Sequence, residues 1–225
     1  MSERTVIDLF AGLGGFSAAF AEADGWEVVT VDIDGRFEPD IQADVLDLRP
    51  SDLIAAIGEW DVLVILASPP CNCFSKAAAW QDHWDENGDP QTAKAREAVA
   101  LVHHTIGLIE ALAPDYWIVE NPQGHLRRFL GDPAGRVTYC QYGTSYQKPT
   151  DLWGEHPPME YRRCRAGAPC HDHGSLEDDR GNRPLPRDPA ERAKVPRELS
   201  DAILEAVEEA YANPPPEQVT LGGSA

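Results

Sequence analysis

Apolar runs of strand length alternate with stretches of helical spacing through the first half of the chain. Thr5-Val6-Ile7-Asp8-Leu9-Phe10 is β-branched and reads as a strand. A glycine turn, Ala11 to Gly15, follows it, and Phe16 to Ala23 reads as a helix with small residues on one face. Trp26 to Val31 is a second strand, ending in Asp32-Ile33-Asp34. Leu53 to Ile57 has helical character. Val62 to Ala67 is wholly apolar and reads as a buried strand, Ala93 to Leu112 as a long helix stopped before Pro114, and Tyr116 to Val119 as a further strand carrying Glu120-Asn121-Pro122 at its end. Strands alternating with helices predict an α/β, doubly wound, mostly parallel sheet with right-handed crossovers.

The periodicity then breaks down. Ala79 to Thr92 is polar and too long for a tight connection, which suits a lid. From Pro157 to Val195 the composition turns to Pro, Arg, Gly, Cys and His, so residues 156–195 read as a small loop-rich insert. Arg197 to Ala212 is an amphipathic helix, and residues 213–225 form a proline-led tail expected to be disordered. The expected division is therefore 1–155 with 196–212 as one catalytic body, and 156–195 inserted into it.

Length and composition fit one domain: 225 residues with 42% hydrophobic content. No apolar run approaches membrane-spanning length, and Met1 to Thr5 leads into a strand without a signal-peptide pattern, so a cytoplasmic protein and no membrane partner are expected. Five irregularly spaced cysteines fit a reducing compartment. The sequence leaves the oligomeric state open, with a monomer favoured. Charge complicates the choice of partner: 38 acidic residues face 19 basic ones, only four of them lysine, for a net −19. Nucleic-acid enzymes usually present a basic footprint. An acidic, lysine-poor surface fits a halophilic host or its virus, where salt screens the repulsion; an acidic cytosolic protein from a GC-rich mesophile is the competing reading.

Candidate chemistry lies at the strand ends. Cys71, in Ser68-Pro69-Pro70-Cys71-Asn72-Cys73-Phe74-Ser75, sits at the carboxyl end of the Val62–Ala67 strand, the edge where open α/β sheets bind ligands. It reads as a reactive thiol or as a cysteine closing the core. Asp32 ends the second strand beside the glycine turn, placed to accept hydrogen bonds from ribose hydroxyls. An adenosine-bearing cofactor is one reading, and a turn serving only helix–sheet packing is the other. Glu120 reaches the same edge, where it could act as a general acid or serve as a cap or ion-pair partner.

Three motifs together carry a resemblance. Asp8-Leu9-Phe10-Ala11-Gly12-Leu13-Gly14-Gly15-Phe16-Ser17, the Pro-Pro-Cys segment and Glu120-Asn121-Pro122 resemble, in order and spacing across residues 5–155, the motifs of DNA (cytosine-5)-methyltransferases of the compact viral or prophage kind. Arg192 to Leu199 resembles the family's late motif, whose following helix returns to the cofactor domain. The resemblance implies a Rossmann-like class I S-adenosylmethionine-dependent methyltransferase fold acting on DNA. It assigns Asp8, Phe10, Ala11, Gly12, Leu13, Gly14, Gly15, Asp32, Ile33, Asp44, Val45 and Pro70 to S-adenosylmethionine. It implies Cys71 as the nucleophile on a flipped cytosine and Glu120 as its partner at N3, with Asn121, Lys148 and Thr150 at the substrate. The family's Gln-x-Arg-x-Arg element is replaced here by Tyr142 to Thr150, which leaves Lys148 to supply the cation. The short insert and acidic surface also prompt an RNA or free-nucleotide substrate, and a catalytically weak cofactor-binding regulator is a further alternative. Within the insert, Cys164, Cys170, His171 and His173 could hold a structural zinc.

Overall fold

In the computed structural model, which describes residues 4–76, 81–165, 168–171, 186 and 188–214, the apolar run Val62–Ala67 becomes β4 and is buried at all six positions. A strand so uniformly apolar needs cover on both faces of its sheet. Leu63, Ile65 and Ala67 enter one apolar cluster, while Val62, Val64 and Leu66 enter the other. β1 (Arg4–Leu9) divides the same way, with Ile7 and Leu9 on one side and Val6 on the other.

Among the described residues the sheet has seven strands, in the order β3 (Ile41–Gln42), β2 (Trp26–Asp32), β1, β4, β5 (Tyr116–Pro122), β7 (Pro149–Trp153), β6 (Gly135–Thr138). β1 pairs in parallel with β2 and β4, β2 with the short β3, and β4 with β5. β7 runs antiparallel to both β5 and β6. Strand order reverses between β1 and β4, so the loops leaving these two strands flank a crevice at the carboxyl edge.

Helices cover each face. α2 (Pro50–Ile57) and α3 (Ala93–Leu112) contribute Leu53, Ile57, Val102, Leu108, Ile109 and Leu112 to the first cluster. α3 starts where the Thr92 hydroxyl accepts from Ala95 N–H, and it ends on Ala113 in the left-handed region at φ 45°. The opposite face is covered by the short α1 (Ala18–Glu22) and by α6 (Arg197–Ala212), which brings in Leu199, Ile203 and Val207. Buried Ser200 joins these two helices, donating to Phe16 O at 2.6 Å and accepting from Ala19 N–H at 3.0 Å. α6 thus returns to the first helix of the chain, as the late motif implied. Two short helices complete the described fold, α4 (Arg127–Leu130) after β5 and α5 (Pro189–Ala193) before α6.

Several expectations change in detail. The helix expected from Phe16 to Ala23 is only five residues long, because residues 12–17 wind as turns. β5 runs on to Pro122, since β7 supplies partners for Glu120, Asn121 and Pro122. Of the expected lid, Trp80 lies outside the described residues, whereas Trp84 is anchored. Its indole N–H donates to Cys73 O at 2.8 Å, and its ring stacks on His125 at 5.1 Å. The first part of the expected insert lies along β6: Thr138 N–H donates to Arg162 O, and Tyr161 covers Gly135. Residues beyond Pro214 fall outside the described set. Among the described residues no helix is long and apolar enough to cross a membrane.

Candidate active site

The loops leaving β1, β4 and β5 are tied to one another. Ser68 donates from its backbone N–H to Leu9 O and from its hydroxyl to Phe10 O, each at 3.2 Å, which holds the Pro-Pro-Cys segment against the glycine turn. Asn121, fully buried, donates to Pro69 O at 2.8 Å. Gly124 lies so close to Phe74 that an added Cβ would come within 1.9 Å of the Phe74 carbonyl oxygen, and only glycine permits this approach. Cys71 is thereby fixed beside the residues following β5.

Glu120 is 3% exposed and accepts a 2.7 Å hydrogen bond from the Tyr139 hydroxyl, with the Lys148 ammonium 3.7 Å from the same oxygen. Lys148 also sits over the Tyr139 ring at 4.3 Å and donates to Arg192 O at 3.3 Å. Burial pushes the Cys71 thiol above its ordinary range; nearby Lys148 opposes this and Glu120 adds to it. Burial and Glu120 raise the Tyr139 phenol well above its usual value, so it stays a donor. Tyr139 was invisible to sequence reasoning, because its role depends on a strand pairing that no local pattern announces.

On the β1–β2 side, Asp32 accepts from Gly12 N–H and from Asp34 N–H, both at 2.8 Å. A carboxylate with about four acceptor sites keeps capacity for two ribose hydroxyls. Phe10 (φ 65°), Gly12 (φ 51°) and Gly14 (φ 66°) all lie in the left-handed region, so the turn curls its backbone toward the crevice. Gly15 passes under the segment before α6, where an added Cβ would meet Val195 O at 2.5 Å. Ile33 is 65% exposed, Leu13 39% and Leu46 40%, each on a loop at the carboxyl edge. Exposed aliphatic side chains on the same edge as a carboxylate with spare acceptor sites are compatible with an adenosine group. Ala11 forms part of the turn and bonds Val31 O, and Pro70 is exposed ahead of Cys71.

Five further expected residues have protein neighbours of their own. Asp8 is fully buried beneath the turn, where its Oδ2 accepts from the Ser17 hydroxyl at 2.6 Å and from Ser17 N–H at 3.2 Å, so it props the turn from below. Val45 belongs to the core, which leaves only its backbone for a ligand; Asp44 caps the same short turn by accepting from Leu46 N–H. Asn121 donates from Nδ2 to Pro69 O, while its buried Oδ1 has no hydrogen-bond partner among the described residues. Thr150 is buried and donates to Lys148 O, which orients the lysine.

The fold and this crevice define a class I methyltransferase: a mostly parallel sheet with an antiparallel β7, a glycine turn after β1 and an acid ending β2. Residues 4–128 match the C-5 cytosine-specific DNA methylase family, and the chain belongs to that family. It is 30% identical over 178 residues to a frog virus 3 (isolate Goorha) protein described as a probable DNA (cytosine-5)-methyltransferase, covering 73% of this chain and 77% of that one. It is 31% identical over 136 residues to the type II methyltransferase M.XorII of Xanthomonas oryzae pv. oryzae, covering 55% of this chain and 29% of the relative. The solved Entamoeba histolytica methyltransferase EhMeth aligns at 15% identity and TM-score 0.48, over 73% of this chain and 58% of that one.

Proposed function

We propose that this protein methylates carbon 5 of cytosine in DNA, with Cys71 as nucleophile, Glu120 as its partner at N3 and S-adenosylmethionine as methyl donor. The observation that carries the reading is the delivery of Cys71 and Glu120 to neighbouring strand ends, beside the glycine turn, in a chain of this family. Asp32 would hold the ribose, while Ile33, Leu13 and the Phe10–Gly15 turn would receive the rest of the cofactor. When bound, the cofactor supplies an electrophilic methyl group.

The chain's own groups prepare the base. A target cytosine must leave the duplex stack to reach Cys71. The Cys71 thiolate forms a bond from Sγ to C6, the C5–C6 π electrons move to C4–C5 and those of C4–N3 onto N3, and Glu120 passes a proton to N3, which leaves C5 an enamine carbon. After methylation water takes the C5 proton, its electrons restore the C5–C6 double bond as the Sγ–C6 bond breaks with its pair on sulfur, and N3 returns its proton to Glu120. Because burial disfavours the thiolate, the Lys148 charge supports it most, with a smaller contribution from Arg192. The matched family is described as a DNA methylase and the frog virus relative as a probable DNA (cytosine-5)-methyltransferase, which favours DNA over RNA or a free nucleotide, and the intact pair Cys71 and Glu120 favours an enzyme over a regulator.

Base-resolution mapping of 5-methylcytosine in cells expressing the protein tests the reading directly. Wild type should leave methylated cytosines; Cys71→Ser should leave none while binding S-adenosylhomocysteine as tightly as wild type. Glu120→Gln should turn over roughly 10²–10⁴-fold more slowly, the usual worth of a general acid–base group. Near-normal methylation by Cys71→Ser would overturn the mechanism.

A further inference from the structure

Outside the crevice, four metal-binding side chains converge from three places in the sequence. Cys140 sits in the turn after β6, Cys164 on the segment lying along β6, and Cys170 and His171 a few residues on. Their ligand atoms all lie within 4.8 Å of one another. Cys164 Sγ is 3.3 Å from Cys170 Sγ, Cys170 Sγ is 3.7 Å from Cys140 Sγ, and both Cys164 and Cys170 lie 3.5 Å from His171 Nδ1. All three cysteines are free thiols.

Four of the six separations, at 3.3–3.7 Å, are close to the edges of a coordination tetrahedron, and the other two are within 4.8 Å. With Zn–S of about 2.3 Å and Zn–N of about 2.0–2.1 Å, tetrahedral geometry puts sulfurs about 3.8 Å apart and sulfur about 3.6 Å from nitrogen. Three thiolates with one imidazole are borderline-soft donors that suit zinc. With four protein ligands no position is left open for substrate, the mark of a structural site. The thiols of a disulfide, by contrast, would sit about 2.05 Å apart.

We propose that Cys140, Cys164, Cys170 and His171, through its Nδ1, bind one structural Zn²⁺. The ligand set differs from the one the sequence suggested: Cys140, 24 residues before Cys164, enters it, and His173 lies outside the described residues. The ion joins a segment with little apolar content of its own to the turn that carries Tyr139, the hydrogen-bond partner of Glu120. A neighbouring bond already runs alongside, from Cys164 N–H to the Thr138 hydroxyl at 3.1 Å. Zinc therefore pins the insert to the frame that holds the catalytic glutamate.

The test is metal content of the full chain purified under reducing conditions, read by elemental analysis and by release to a chromogenic chelator after thiol modification. One zinc per chain is expected in wild type and in His173→Ala, with a loss of roughly tenfold or more in Cys140→Ser and Cys170→Ser. Should those variants fail to fold, Co²⁺ exchanged into wild type should show the visible bands of a tetrahedral site and a thiolate charge-transfer band. Metal-free wild type, octahedral cobalt, or zinc lost from His173→Ala but kept by Cys140→Ser would each overturn the proposal.

Discussion

A carboxyl group closed off from water under the glycine turn has to take a proton or weaken the fold. Asp8 is such a group: burial lifts its pKa from the usual 3.8 to about 7, against the opposing pull of its Ser17 hydrogen bonds, and its Oδ1 has no hydrogen-bond partner among the described residues. An acid whose pKa rises on folding removes stability as pH climbs, because the unfolded chain ionises first. The loss begins near pH 4 and is complete above about pH 7, where it amounts to about 4 kcal/mol at most. Asp8→Asn should therefore be more stable than wild type at pH 8 in denaturant titrations, with the advantage shrinking toward pH 4. A difference that stays the same across that range would mean that Asp8 does not titrate as placed. The strain sits at a functional turn, where local cost is commonly tolerated.

At the scale of elements, α1 depends on α6 more than on its own five residues, far too few to be helical alone. Ser200→Ala removes both of its hydrogen bonds and leaves a buried carbonyl and a buried N–H unsatisfied, at a cost of about 2–4 kcal/mol. Its thermal midpoint should fall, and its affinity for S-adenosylhomocysteine should fall with it, because α1 follows the cofactor turn; an unchanged midpoint would rule out this coupling. Sequence legibility follows the same logic. β4, α3 and α6 could be read from Val62–Ala67, Ala93–Leu112 and Arg197–Ala212, since burial on two faces or one leaves a plain periodicity. The placement of Cys71, Glu120 and Asp32 at the carboxyl edge was legible because each lies at or just past the carboxyl end of a strand that could be read. The β6–β7 hairpin was not: its strands are short and carry Arg136 and Asp151, and Asp151 is buried only because Arg127 pairs with it at 2.6 Å. Tyr139, Lys148 and Cys140 acquire their neighbours from that hairpin, so they were hidden with it or, like Lys148, found only by resemblance.

Across the whole molecule, a net charge of −19 sets the response to salt. The outer side of α6 carries Asp201, Glu205, Glu208 and Glu209, of which Asp201 pairs with Arg197 and Glu208 with Arg4. Unscreened, such charges repel, and the Debye length shrinks from about 10 Å at 0.1 M to about 3 Å at 1 M. The thermal midpoint should rise between about 0.1 M and 2 M KCl, and DNA affinity should depend only weakly on salt, since few cations are available to displace counterions from phosphate. Greatest stability at low salt with a steep salt slope would refute this. The return of α6 to α1 also has a meaning during synthesis. Ser200 emerges 184 residues after the Phe16 carbonyl it must bond. At about 5–20 residues per second, the apolar face formed by Phe16, Phe20 and Val64 waits roughly 10–40 s for its cover. The ribosome thus releases a half-dressed sheet, one of whose apolar faces stays open until α6 arrives.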